Sequence, residues 1–264
     1  MIRIEQVSVV FNAGTALENR VLNDLTIEIP QGQFVTVIGS NGAGKSTLLN
    51  IIAGELPVAG GRVEIAGQDV TRLPAPARAA LVARVFQDPR AGTCENLTIE
   101  ENFALAVSRG HSRGLRLALD APRRDRFKTA LKRLGLGLEH RLGDPIGLLS
   151  GGQRQAASLL MASIEPMKLL LLDEHVAALD PRTAQFVLDL TREVIAEQKL
   201  TALMVTHSMR HALALGDRTL MLHEGRVVLD VAGEERRRMT VDDLIAGFRQ
   251  QYGEALDSDS LLLS

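Results

Sequence analysis

The sequence predicts an α/β protein with a mostly parallel sheet, an N-terminal antiparallel β subdomain and an inserted helical subdomain. Three observations predict it. Short apolar runs recur along the chain with helical patterns between them, as in a parallel sheet. The opening residues alternate apolar and polar side chains between turn signals, as half-buried strands do. Between Gln87 and Ser150 the pattern changes to helices.

Taken in order, residues 2–10, 21–29 and 62–66 read as strands, with turn signals at Asn12–Gly14, Gln31–Gly32 and Gly60–Gly61. "FVTVIG" (34–39) is a short continuous apolar run, as expected of a strand buried on both faces. It leads into "GSNGAGKST" (39–47), after which Leu48, Leu49, Ile51 and Ile52 stand at helical spacing until Gly54 closes the helix. "ARVFQ" (83–87), "KLLLLDE" (168–174) and "TALMVTH" (201–207) are further buried strands. "TIEENFALAVSRG" (98–110) opens with Thr98 and Glu101 at capping-box spacing. The expected organisation is a single domain over 1–250. Residues 1–87 and 156–235 supply the β subdomain and sheet core, 88–155 the helical subdomain, and 240–264 a C-terminal helix and loose tail. There are no internal repeats and no low-complexity segment.

A chain of 264 residues with 45% hydrophobic content can bury a substantial core. Its charge, 30 − 32 = −2, excludes a globally basic nucleic-acid coat. The charge is uneven: residues 109–141 hold ten Lys/Arg against three Asp/Glu, a local +7. The one cysteine, Cys94, excludes an internal disulfide and fits a reducing compartment. "MIRIEQVSVVF" alternates from its first step and so reads as a strand, not a signal peptide. No run approaches the roughly 20 apolar residues that span a bilayer.

Gly39 to Ser46 satisfy G-x-x-x-x-G-K-[ST] between a strand and a helix, the context a phosphate-binding loop requires. Glycines let backbone N–H groups turn inward around the α- and β-phosphates, and the helix dipole adds positive potential. Gly39, Ser40, Asn41, Gly42, Ala43, Gly44, Lys45, Ser46 and Thr47 are the candidate nucleotide contacts, with Lys45 reaching the β- and γ-phosphates and Ser46 ligating Mg²⁺. In "LLLLDEH" (169–175) two carboxylates leave an apolar strand at its C-terminal end, where open α/β sheets place ligands. Asp173 would support Mg²⁺, and Glu174, directed to the other side, would polarise the attacking water as general base. That arrangement favours hydrolysis over transfer to a second substrate. His207 ends a buried strand in the same way and is placed to contact the γ-phosphate. His207 and His211 stand four apart without a third ligand, which argues against zinc. A second Gly-rich turn, Ser150-Gly151-Gly152-Gln153, begins a helix with Ser150 at its N-cap. It offers another anion a hydroxyl, free N–H groups and a dipole. Two glycines just after a cap weaken a helix, so capping alone does not explain them.

These motifs, over roughly residues 2–250, resemble the ATP-binding subunits of ABC transporters. "LSGGQ" is that family's signature and stands unaltered, and "GSNGAGKST", "VFQDP", "LLLLDE", "ALD" and "VTH" follow in matching order and spacing. The resemblance implies a P-loop NTPase core and ATP with Mg²⁺ as cofactors. It makes Gln87 the residue that senses Mg²⁺, the attacking water and the membrane partner, His207 the switch histidine and Asp180 the aspartate of "ALD". Two subunits would pair head to tail, each ATP lying between the first loop of one and the signature of the other. The second turn then belongs to the partner's nucleotide. Three positions depart from the family pattern. Phe11 stands where a Tyr usually stacks on adenine, His175 where Pro is commonest, and Ala177 where Ser is common. "DEH", "AALDP" and "QDP" resemble a subgroup of bacterial uptake ATPases that serve amino-acid-type permeases. The expectation is therefore an importer's energising homodimer, peripheral on the cytoplasmic face of the inner membrane. Its partners would be transmembrane permease subunits and an extracytoplasmic substrate-binding protein, not nucleic acid. The alternatives are a soluble ABC ATPase acting on nucleic acid or ribosomes, kept open by the basic 109–141 stretch, and the motor of an exporter.

Overall fold

The computed structural model describes residues 1–111 and 118–252. The loose tail expected beyond residue 253, and Arg113 and Arg116 of the basic stretch, lie outside the described residues. Contacts divide the chain into two compact units, Met1–Arg78 with the residues from Lys199 onward, and Ala79–Gln198.

The first unit opens with strands β1 (Ile2–Phe11) and β2 (Asn19–Ile29), followed by β3 (Phe34–Gly39) and helix α1 (Lys45–Ala53). Strands β4 (Gly60–Ile65) and β5 (Gln68–Asp69) and the short helix α2 (Ala75–Arg78) come next. An antiparallel sheet runs β2-β1-β4-β5, with Ile2 opposite both Ile29 and Ile65. Along β2, Leu25, Ile27 and Ile29 are buried while Thr26 and Glu28 are exposed, the period-2 alternation of a one-sided sheet. Gly60–Gly61, expected as a turn, instead opens β4: Gly60 is already opposite Ser8 of β1.

The second unit runs from β6 (Val82–Val85) through helices α3 (Ile99–Val107), α4 (Ala121–Lys132) and α5 (Gly151–Ser163) to β7 (Leu169–Asp173) and α6 (Pro181–Gln198). β6 and β7 are parallel neighbours, Val82 opposite Leu169 and Val85 opposite Leu172. The capping box expected on α3 is present: Thr98 Oγ1 accepts the Glu101 N–H at 3.2 Å and Glu101 Oε2 accepts the Thr98 N–H at 2.7 Å. The Thr98 N–H, and the Thr98 hydroxyl donating to the same oxygen at 2.9 Å, hold the Glu101 carboxyl below its usual range. Phe103 of α3 and Phe127 of α4 are fully buried with ring centroids 5.4 Å apart. Truncating either ring costs about 3–5 kcal/mol.

The chain then returns to the first unit with β8 (Ala202–Val205), α7 (Met209–Ala214), β9 (Arg218–His223), β10 (Arg226–Ala232), α8 (Gly233–Arg238) and α9 (Val241–Tyr252). β3 is parallel to both β8 and β9, and β10 closes an antiparallel hairpin with β9, so this sheet is mixed. All six residues of β3 are buried, which explains its nearly continuous apolar run; its one polar side chain, Thr36, donates to the Ala212 carbonyl at 3.1 Å. Ile38, Met209, Ala212, Met221 and Leu244 form one core cluster that seats α7 and α9. No helix among the described residues is long and apolar enough to cross a membrane.

Candidate functional site

In the first unit, β3 ends at Gly39 and the chain turns through 40–44 into α1. This turn requires glycine twice. Gly39 has φ +149°, and a Cβ there would lie 2.2 Å from the Leu222 carbonyl oxygen. Gly44, the N-cap of α1, has φ +99°, and its Cβ would lie 2.7 Å from Leu22 Cδ2. Gly44 supplies no side-chain cap, so the first N–H groups of α1 have no capping side chain. That leaves the N-terminus of a nine-residue helix without a side-chain cap, an arrangement whose N–H groups and dipole suit an anion. The Lys45 ammonium curls over the loop, where the carbonyls of Gly39 and Ser40 accept from it at 2.7 and 2.8 Å. Asn41, Gly42 and Ser46 are exposed, and Ser40, Ala43 and Lys45 are buried beneath them. The same unit carries Phe11 at the end of β1, 38% exposed for an aromatic ring, and half-buried His207 two residues past β8.

The second unit carries the rest. Asp173 closes β7, and Glu174 follows with φ +45°. A left-handed conformation costs a non-glycine residue about 1–2 kcal/mol, so the turn is held by its surroundings. His175 is one of them, buried at 1% exposure with Nε2 3.0 Å from Thr191 Oγ1. The Thr191 hydroxyl donates to the Val187 carbonyl at 2.7 Å, so the proton in the His175–Thr191 bond belongs to Nε2. The histidine that replaces the family's proline thus ties the acidic turn to α6. Asp180 caps α6, its Oδ1 accepting the Thr183 N–H at 3.2 Å, with Pro181 next in the first turn. The Thr183 hydroxyl and, after it, the Thr183 N–H lower the Asp180 pKa. Gln87 is exposed two residues beyond β6, and the Phe86 carbonyl before it accepts from Gln155 Nε2 at 2.9 Å.

Ser150 is the N-cap of α5 as expected, and Gln153 completes a capping box: Ser150 Oγ accepts the Gln153 N–H at 3.3 Å, while Gln153 Oε1 accepts the Ser150 N–H at 3.1 Å. Arg154 anchors the turn, pairing with Glu95 at 2.6 Å and donating to the Gly147 carbonyl at 2.9 Å. The two glycines differ. A Cβ on Gly152 would lie 2.0 Å from Thr183 Cγ2, whereas a Cβ on exposed Gly151 meets only Leu179 Cδ2 at 3.8 Å, an ordinary contact.

Sequence reasoning missed Arg84, whose Nη2 lies 2.5 Å from Asp173 Oδ2 with both side chains largely buried. It also missed Gln155, Arg154 and Thr183. An arginine within the apolar "ARVF" run was the one available signal, because a buried charge requires a partner. Among the described residues no three His, Cys, Asp or Glu gather as metal ligands. The Ser46 hydroxyl of the first unit and the Asp173 carboxylate of the second are each hard oxygen donors, the kind Mg²⁺ takes.

A strand-to-helix glycine loop, strand-end carboxylates and a capped second glycine turn are features of an ATP-binding cassette. The chain belongs to the ABC transporter family, whose profile matches residues 22–177, and it is an ATPase of that family. It is similar to the tyrosine transport ATP-binding protein of Clostridioides difficile (strain R20291), 42% identical over 248 residues, 94% of this chain and 98% of the relative. The thiamine import ATP-binding protein ThiQ of Salmonella choleraesuis (strain SC-B67) is 37% identical over 203 residues, 76% of this chain and 81% of its own. Among solved structures, a dimeric ATP-binding cassette in a post-hydrolysis state, bound to ADP and Pi, aligns with a TM-score of 0.75. It is 27% identical, covering 88% of this chain and 98% of that one.

Proposed function

We propose that the chain energises substrate uptake by a bacterial importer, with each ATP held between two head-to-tail copies. Gly39 to Thr47 wrap the phosphates and Lys45 places its charge between the β- and γ-groups. Ser46, Gln87 and Asp173 hold Mg²⁺, which when bound neutralises phosphate charge. Glu174 orients and deprotonates the attacking water, His207 steadies the γ-phosphate, and Phe11 stacks on the adenine ring. Asp180, Ser150, Gly151, Gly152 and Gln153 complete the partner copy's nucleotide.

The observation that carries this reading is Gly151. It keeps an exposed helix N-terminus bare although its own chain has room for a side chain, which fits an anion supplied from outside. The names of the relatives, tyrosine transport and thiamine import, support uptake, and the first supports an amino-acid-type substrate. The permease subunits that define the path would dock near residues 87–100, beside an extracytoplasmic substrate-binding protein, with this chain peripheral on the cytoplasmic face. Among the described residues of the basic stretch, the ion pairs support a solvated helical face rather than a nucleic-acid surface. Arg124 pairs with Glu100, Arg126 with Glu165, and Arg133 with Glu193 and Glu197, while Phe127 is fully buried and offers no ring to stack.

The test is a strain lacking this chain, measured for uptake of labelled tyrosine and related amino acids. The parent chain restores uptake and Glu174→Gln does not, its ATP turnover falling by about two orders of magnitude or more while ATP binding persists. Normal uptake without the chain, or turnover near the parent rate in the variant, contradicts the reading.

A further inference from the structure

Strand β6 is apolar except for Arg84: Val82, Ala83 and Val85 are all buried. A guanidinium in such a strand stays charged and must be matched. Arg84 is matched by the carboxylate of Asp173, Nη2 to Oδ2 at 2.5 Å, with the side chains 10% and 14% exposed. Its guanidinium carbon also lies 4.8 Å from the centre of the Phe86 ring, one residue before Gln87. The Phe86 backbone is pinned by Gln155. On the other side Arg84 lines a groove of about 320 Å³, together with Phe86, Cys94, Leu105, Arg109 and Met161. One cation is therefore shared between the strand-end carboxylate and a groove within the same unit.

We propose that Arg84 is a positioning residue that competes with the divalent cation for Asp173 and so ties the state of that carboxylate to the groove. The proposal rests on reading Asp173 as the acid that supports Mg²⁺. A carboxylate that already neutralises a guanidinium has less charge to offer a second cation, and the two cations repel at short range. Arginine does not relieve the conflict by losing its proton, so it relieves it by moving. The ring of Phe86 offers a face along which the planar guanidinium slides toward the groove. Movement of Arg84 toward the groove and cation binding at Asp173 then go together.

Cys94 makes this measurable, because it is the one cysteine of the chain, is exposed and lines the same groove. An environment-sensitive fluorophore on Cys94 is titrated with Mg²⁺ at fixed adenylyl imidodiphosphate, so that no turnover occurs, and Mn²⁺ binding is followed in parallel by electron paramagnetic resonance. In the parent the fluorescence responds to the cation. Arg84→Gln lowers the half-saturating Mg²⁺ and Mn²⁺ by about fivefold or more, and Arg84→Lys, which keeps the charge, stays within about twofold of the parent. Asp173→Asn raises the half-saturating concentration in every background. An unchanged or raised value in Arg84→Gln, with Asp173→Asn behaving as stated, overturns the competition alone. No change in Asp173→Asn overturns the metal role of Asp173 and the proposal with it. A silent Cys94 probe overturns the link to the groove. Should Arg84→Gln not fold, Arg84→Met replaces it. If neither folds, Arg84→Lys decides: a shift of fivefold or more despite the retained charge contradicts competition by charge.

Discussion

The two glycine-rich turns, 39–47 and 150–153, use their glycines for different reasons. At Gly39 and Gly44 the demand is internal, since both backbones are left-handed and any Cβ would strike Leu222 or Leu22. At Gly152 it is internal again, through Thr183, but there the backbone is ordinary helix. At Gly151 nothing among the described residues demands glycine, and a bare position costs helix stability. The first turn is shaped by its own fold, whereas the second keeps a glycine that the described residues around it do not require, which is what the proposed partner nucleotide would explain.

The largest expected effect is on the first turn. Gly39→Ala drives a Cβ against a backbone carbonyl that has no rotamer to escape into, costing roughly 3–5 kcal/mol. Thermal unfolding should fall by about 10 °C and ATP affinity should be lost with it. A variant as stable as the parent would show that Gly39 is not set by packing. Gly152→Ala presses on a side chain instead, so about 1–3 kcal/mol is expected, and adding Thr183→Ser, which removes the clashing methyl, should restore most of it. Additive losses in the double variant would place the strain elsewhere. Gly151→Ala should leave stability unchanged or raise it by up to about 1 kcal/mol, yet slow ATP turnover. Unimpaired turnover would remove the argument for an external anion there.

Both turns were legible as motifs, but the difference between them was not. Spacing marks a strand, a loop and a helix, and the structure bears out β3 at 34–39, the closing Gly54 of α1 and the caps at Thr98 and Ser150. These are local, set by residues within four of each other. The conflict at Gly152 comes from Thr183 and the charge on Asp173 is shared with Arg84, partners 31 and 89 residues away that no local pattern announces. The β9–β10 hairpin went unassigned although Gly225 stands between two β-rich runs. Its turn places Glu224 at φ +45°, a conformation seldom read from glutamate. Helix α6 was also left unassigned, and Pro181 in its first turn was the signal.

The smallest expected effect is on the acid end of the stability curve. The Thr183 hydroxyl and N–H together lower the Asp180 pKa, so the folded state binds that proton less readily than the unfolded chain. The cap of α6 therefore contributes above the ordinary carboxylate pKa and is lost as pH falls through the lower folded value. Asp180→Asn keeps an acceptor but not the titration. Its unfolding temperature should track the parent at pH 7 and fall less steeply between about pH 4 and pH 3. Parallel curves would mean that the cap does not titrate.

The central claim, that the second turn serves a nucleotide held by another copy, is tested most directly by mixing two inactive variants. Lys45→Ala removes the cation from the first loop, and Gly151→Asp puts a carboxylate at the second turn. Each homodimer then has two damaged sites. In a heterodimer, the intact first loop of the Gly151→Asp chain faces the intact second turn of the Lys45→Ala chain, so one site is whole and the other carries both lesions. ATP hydrolysis is measured on heterodimers isolated with two different affinity tags, and the account predicts recovered activity in proportion to their fraction. If both turns served one nucleotide within one chain, every site would carry a lesion, and isolated heterodimers as inactive as either parent variant would contradict the account.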